Sequence, residues 1–119
     1  SRSWAFGKSL RRACERVPER IALIGTGGIS HWPATPDSGK INESWDKDFL
    51  SRWCECDRER LISYRDEAVY RDAGQGGFEI RSLIAVAAAA GGRGHVWCYL
   101  PIPQFAVGCT IATMEIGTS

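Results

Sequence analysis

His31 lies at a position that could present a reactive side chain to a ligand. It follows the apolar run Ile21–Ile24 and the glycine-rich stretch Gly25–Gly28, and Ser30 immediately precedes it. In open α/β sheets, ligands bind at the carboxyl ends of strands. A histidine at such a place can accept and return a proton near neutral pH, whereas a histidine in an ordinary loop is bonded to a backbone carbonyl. The sequence leaves both roles open for His31.

The glycine-rich stretch does not have the form of a dinucleotide-binding turn. That fingerprint requires a third glycine three residues after the second, at the start of a helix whose amides face the pyrophosphate. Ser30 occupies this position, and Pro33 and Pro36 disfavour a helix directly afterwards. We therefore favour a turn that presents His31 over a turn that binds phosphate.

Glu79 is the candidate metal ligand. It begins the alanine-rich segment and lies in line with Leu83, Val86 and Ala90, the face of the helix that is expected to pack inward. A carboxylate at the head of a buried stripe needs a hydrogen-bonded partner, a cation or a metal. The alternative is a charge that favours the start of a helix without any further role.

His95 is the second histidine of the sequence. With His31 and Glu79 it would supply the two imidazoles and one carboxylate of a non-haem iron site. However, His95 opens a strand after a glycine-rich turn, where a surface position is more usual. We rank a self-contained metal site of these three residues last among the possible readings.

The elements that must position these residues follow from apolar periodicity and capping signals. The pattern predicts a helix that includes Leu10, Cys14 and Val17 and stops at Pro18, then a strand over Ile21–Ile24 covered on both faces. It then predicts a loop over 33–40, a helix capped by Asn42, a charged helical segment over 57–73, a helix over 77–92, and two strands, HVWCYL and AVGCTIATMEI, joined by the loop 101–105. The predicted class is α/β, a mixed sheet flanked by helices.

Composition excludes several classes of protein. Fifteen Lys and Arg nearly balance fourteen Asp and Glu, and they are interspersed, so neither a nucleic-acid partner nor an anionic membrane is expected. No stretch resembles a secretory signal or a membrane span. Five cysteines without CxxC spacing favour reduced thiols in a cytoplasmic protein over a disulfide framework or a zinc site.

Four motifs in register resemble one enzyme family. ALIGTGGISHW, KINESWDKDFL, AGQGGFEIRSLIAVAAAAGG and YLPIPQFAVGCTIATME occur in the order and spacing found in class III extradiol ring-cleavage dioxygenases of the protocatechuate 4,5-dioxygenase beta-subunit type. The resemblance implies that residues 1–119 are the carboxyl-terminal segment of a larger single catalytic domain. It also implies that the chain takes part in cleaving a catechol, such as protocatechuate or gallate, beside its two hydroxyls, using Fe(II) and both atoms of O2.

The resemblance also implies roles for individual residues. His31 matches the family's acid/base histidine and Glu79 matches its carboxylate ligand of Fe(II). The predicted substrate-binding residues are Ser30, in the matched turn, and Pro103 and Gln104, in the loop that helps to shape the substrate pocket. Both iron-binding histidines would come from the amino-terminal half of the domain, and the assembly would include copies of the chain or a small alpha subunit.

A second reading belongs to a different class. A non-catalytic subunit or binding protein could keep the fold without iron, with His31 and Glu79 as relics. The presence or absence of an amino-terminal half with two histidines would distinguish it from an enzyme.

Overall fold

A computed structural model describes residues 1–118 of the chain and contains helices packed on one β-hairpin. The α-helices are α1 (Arg2–Cys14), α2 (Glu43–Cys54), α3 (Arg58–Ile62), α4 (Asp66–Ala73) and α5 (Ile80–Ala90). The strands are β1 (Gly91–Ile102) and β2 (Val107–Ile116), and short 3₁₀ turns cover Gln75–Glu79 and Pro103–Phe105. The predicted α/β class is confirmed, with an antiparallel sheet.

Helix α2 forms where capping and periodicity predict it. The Asn42 side chain accepts a hydrogen bond from the Trp45 N–H at 3.2 Å, which satisfies one of the free amides of the first turn. Phe49, Leu50 and Trp53 share one face and are buried in the core. This helix therefore lies firmly against the rest of the chain.

Helix α5 is the centre of the core. Its alanines have high helix propensity and small side chains, so α1 can pack closely against it. It ends at Gly91, which adopts the left-handed conformation (φ 72°) typical of a helix C-terminus. Arg11 of α1 donates hydrogen bonds to the Ala89 and Ala90 carbonyls, and it thereby satisfies acceptors that the helix end leaves free.

The β-hairpin confirms the prediction of two strands after α5. β1 and β2 pair antiparallel from Gly91 opposite Ile116 to Ile102 opposite Val107. The connection is the short turn Pro103–Phe105, followed by Ala106 in the left-handed region (φ 56°). The hairpin turn thus brings Val107 back towards the glycine-rich stretch.

The strand predicted over Ile21–Ile24 is wrong for this chain. These residues have no regular secondary structure, and residues 18–27 make no backbone-to-backbone hydrogen bonds within the described part of the chain. Ile21, Leu23 and Ile24 are 50%, 41% and 78% exposed. A fully apolar run forms a covered strand only between two neighbouring strands, and the described residues supply none there.

Smaller differences concern the ends of helices. Helix α1 stops at Cys14, so Val17 lies outside it and is exposed. The charged segment over 57–73 is two helices, α3 and α4, and the alanine-rich helix is preceded by a 3₁₀ turn. None of the helices in residues 1–118 combines the length and the apolar character that crossing a membrane requires. The five cysteines are not paired in disulfides.

Candidate active site

The backbone of His31 is held by two separate segments. Its N–H donates to the Ala73 carbonyl at 2.9 Å, and its carbonyl accepts from the Gly76 N–H at 3.2 Å. On its other side it forms a β-bridge with Val107, the first residue of β2. The residue after the glycine-rich stretch is therefore fixed in position although it lies in a loop.

The imidazole of His31 has a defined orientation. Its Nδ1 lies 3.1 Å from the Ile29 carbonyl oxygen, and a carbonyl oxygen can only accept a hydrogen bond, so Nδ1 carries the proton. In the neutral ring this leaves a lone pair on Nε2, which faces Oε1 of Glu79 at 3.6 Å. One nitrogen is therefore bonded to the backbone, as in an ordinary loop, and the proton-transfer role of the other nitrogen stays a prediction.

Glu79 lies at the surface of the site, which differs from the buried position that we predicted. Its side chain is 47% exposed. The physical reason is local geometry, because Glu79 ends the 3₁₀ turn before α5, and three residues per turn place it off the stripe of an α-helix. Glu79 nevertheless has a hydrogen-bonded partner, because its Oε2 accepts the Gly28 N–H at 2.5 Å.

Two glycines leave room for this pair. A Cβ on Gly27, which has φ 127°, would lie 2.6 Å from Oε2 of Glu79. A Cβ on Gly76 would overlap the ring of His31. Side chains at these positions would displace the carboxylate or the imidazole, so the glycines serve close packing around the site and not phosphate binding.

His95 does not join the pair. It lies exposed on β1, with its ring against Trp97 at 4.4 Å between centroids in an edge-on arrangement. Within residues 1–118, no group of three His, Cys, Asp or Glu side chains could hold a metal ion. The reading of His31, Glu79 and His95 as one metal site is therefore wrong for this structure.

Ser30 belongs to the support of the site. It is fully buried, and its hydroxyl oxygen accepts the Asn42 N–H at 2.8 Å. That hydrogen bond joins the loop of His31 to the start of α2. A direct contact between Ser30 and a substrate stays a prediction, and it would require that this hydroxyl be reachable.

Asp46 is the residue near the site that our reading of the sequence missed. It is fully buried, and its Oδ1 accepts the Ser30 N–H at 2.8 Å while its Oδ2 accepts the Tyr99 hydroxyl at 2.5 Å. The sequence does contain a signal for the burial of Asp46, because its spacing from Phe49, Leu50 and Trp53 places it on the buried face of α2.

Burial raises the pKa of the Asp46 carboxyl above its usual range, although the hydrogen bonds from Tyr99 and Ser30 oppose the effect. At pH values between the pKa of Asp46 in the unfolded chain and its raised pKa in the folded protein, the folded state binds more protons than the unfolded state. The free energy of unfolding therefore falls as pH rises through this range. Asp46→Asn has no such proton to lose, so we expect its stability relative to the unmodified protein to increase from about pH 4 towards neutrality.

Urea unfolding of both proteins across this pH range would measure the difference. Asp48→Asn is the matched control, because Asp48 lies on the same helix with a 47% exposed side chain paired to Arg52. A stability difference for Asp46→Asn that does not change with pH would contradict the prediction.

Pro103 and Gln104 are exposed in the hairpin turn. The same turn leads into Val107, which pairs with His31 and packs against Gly28. The predicted pocket loop is thus attached to the segment that holds the histidine. Contact of Pro103 and Gln104 with a substrate stays a prediction.

The family described as the catalytic LigB subunit of aromatic ring-opening dioxygenase matches residues 1–110. The chain belongs to this family. The match confirms the resemblance that the four motifs carry and includes His31, Glu79, Pro103 and Gln104.

Relatives in this dioxygenase family carry named activities. A protein of Paraburkholderia xenovorans named 2,3-dihydroxyphenylpropionate/2,3-dihydroxicinnamic acid 1,2-dioxygenase is 25% identical in an alignment 151 residues long, which covers 87% of this chain and 48% of the relative. A gallate dioxygenase of Pseudomonas putida is 41% identical over 51 residues, which cover 41% of this chain and 15% of the relative. The chain spans about half the length of the first of these relatives.

Proposed function

We propose that this chain supplies the acid/base histidine and one Fe(II) ligand of an extradiol dioxygenase. The reaction would open a catechol ring beside its two hydroxyls and incorporate both atoms of O2. The observation that carries the proposal is the pairing of His31 and Glu79, with a free Nε2 and a carboxylate oxygen 3.6 Å apart on a fixed backbone. The membership of the family supplies the reaction class.

Glu79 fits the part of a metal ligand. Its Oε2 is held in place by the Gly28 N–H, and its side chain is 47% exposed. Carboxylate and imidazole ligands suit ferrous iron, which when bound would allow electron density to pass between a catechol and O2. The further ligands would come from the remaining part of the catalytic domain, and the described residues contain no group of three side chains that could hold a metal by themselves.

His31 would move the protons. Its Nδ1–H is bonded to the Ile29 carbonyl, so the ring stays in one orientation while Nε2 accepts a proton from a substrate hydroxyl and later returns it. The side chain is 12% exposed, so most of its surface is shielded from water. A shielded, oriented imidazole is suited to general acid and base catalysis near neutral pH.

The substrate class is a catechol with an acid-bearing substituent, such as protocatechuate or gallate. The names of the relatives support this class, since 2,3-dihydroxyphenylpropionate and gallate both have adjacent ring hydroxyls and a carboxylic acid. We place Ser30, Pro103 and Gln104 beside the ring substituent. We also place the enzyme in the cytoplasm, where unpaired thiols persist.

An apolar groove indicates where more polypeptide would pack. It has a volume of about 830 Å³ and lies between Ile21–Gly25, α5 and β2. Exposed Ile21, Ile24, Ile111 and Ile116 are among the residues of these walls. We propose that the remaining part of the family's catalytic domain, which would bring two iron-binding histidines, covers this groove. Further subunits, either copies of the chain or a small alpha subunit, would complete the assembly.

The 119 residues by themselves are expected to bind Fe(II) weakly, to cleave no catechol and to self-associate. Two candidate side chains supply too few ligands to hold the ion against water, and the exposed isoleucines of the groove favour association. Iron stoichiometry, oxygen uptake with protocatechuate, gallate and 2,3-dihydroxyphenylpropionate, and solution mass would test this. A monomer with bound iron and turnover would contradict the proposed origin of the missing ligands.

A further inference from the structure

We propose that Asp46 is a positioning residue for His31 and acts on its imidazole through the peptide group between Ile29 and Ser30. The catalytic role of this connection between Asp46 and His31 rests on the proposed function. The contact itself is a property of the fold and can be tested without any enzymatic activity.

A single peptide group connects the two side chains. Its N–H, from Ser30, donates to Oδ1 of Asp46 at 2.8 Å, and its C=O, from Ile29, accepts from Nδ1 of His31 at 3.1 Å. The peptide is trans, so the N–H and the C=O point in opposite directions along nearly one line. The carboxylate and the imidazole therefore lie at the two ends of one chain of hydrogen bonds.

Such a chain is cooperative. A carboxylate that accepts the N–H polarises the peptide group and makes its carbonyl oxygen a stronger acceptor. A stronger acceptor favours the tautomer of His31 that carries its proton on Nδ1, and this tautomer leaves the Nε2 lone pair towards Glu79. Asp46 thus does through a peptide what a directly bonded carboxylate does for many catalytic histidines.

The carboxylate is itself held from the opposite side. The Tyr99 hydroxyl donates to Oδ2 at 2.5 Å, and Gly108 of β2 packs so closely on this oxygen that a Cβ there would overlap it. Asp46 is fully buried and forms no ion pair among the described residues. Burying a carboxylate without a cation costs free energy. We infer from this cost that Asp46 does more than pack in the core.

Nitrogen-15 NMR of the labelled catalytic domain that contains this chain, free of iron, would test the inference, because the 119 residues alone are expected to self-associate. Two-bond correlations from the ring carbon-bound protons report which nitrogen of His31 is protonated. We expect the Nδ1–H tautomer to dominate in the unmodified chain, to be less populated in Asp46→Asn, which keeps an acceptor without the charge, and to be least populated in Asp46→Ala. The Ser30 amide proton should move to lower frequency in the same order.

The controls are built into the chain. Asp48→Asn, on the exposed side of α2, should change neither signal, and His95 in the same spectra is an internal reference. If Asp46→Ala does not give a folded spectrum, Asp46→Asn decides. An unchanged His31 tautomer in a folded Asp46 variant, with or without movement of the Ser30 amide, would overturn the inference and leave the proposed function untouched.

Discussion

His31→Ala should lower the rate of catechol cleavage by about two to four orders of magnitude, the usual contribution of a general acid or base. The measurement is oxygen uptake in an active preparation that contains this chain. The reason is that the variant loses Nε2, the nitrogen that faces the carboxylate of Glu79 and is free to exchange a proton. Iron content should stay near its original value, because the imidazole is assigned to proton transfer and not to the metal.

His95→Ala is the matched control for this prediction. It removes the other histidine of the chain, which is exposed on β1 and packs against Trp97. Its activity should remain within a factor of about two of the unmodified enzyme, since no contact connects it with the site. A loss of iron from His31→Ala, in place of a loss of turnover, would show that the imidazole is a ligand and that its assigned role is wrong.

Glu79→Gln should weaken Fe(II) binding by at least about 100-fold, because removing groups that only support a ligand already costs about 10- to 100-fold. The change is nearly isosteric, and the amide oxygen can still accept the Gly28 N–H, so the fold should be retained. Equilibrium dialysis of the active preparation against Fe(II) would measure the iron affinity, and circular dichroism of the same sample would show whether the fold is retained.

Glu67→Gln provides the comparison, since it removes one exposed carboxylate from α4 and changes the net charge by the same amount as Glu79→Gln. Its iron affinity should equal that of the unmodified protein. Full iron occupancy of Glu79→Gln after dialysis would mean that the carboxylate of Glu79 acts on His31 and not on a metal.

The sequence predicts those elements whose signals are local. Asn42 caps α2 through its own side chain, and Gly91 ends α5 in a conformation that glycine adopts easily. The run Ile21–Ile24 has equally strong apolar character, yet it forms no strand, because pairing depends on neighbours that lie elsewhere in space. Local patterns therefore identify the helices and the hairpin but not a strand whose partners are distant.

The candidate site shows the same limit. The periodicity of a buried helix face does identify Asp46, which shares a face with Phe49 and Trp53 and is fully buried. It fails for Glu79, since a 3₁₀ turn shifts that residue off the stripe. An acidic residue in the first turn of a helix interacts favourably with the helix dipole. The sequence alone therefore does not distinguish Asp46 from a residue that only stabilises the start of α2.

The hydrogen bonds that hold His31 and its neighbours have a consequence for how the chain acquires its structure. Gly28 and Glu79 are 51 residues apart in sequence, and Asp46 and Tyr99 are 53 apart. Contacts of such long range are entropically costly to close and tend to form late. During synthesis, the Val107 bridge to His31 and the Tyr99 hydrogen bond to Asp46 cannot form until the hairpin has left the ribosome. Helix α2 and the alanine-rich helix can therefore form before the support of the histidine is complete.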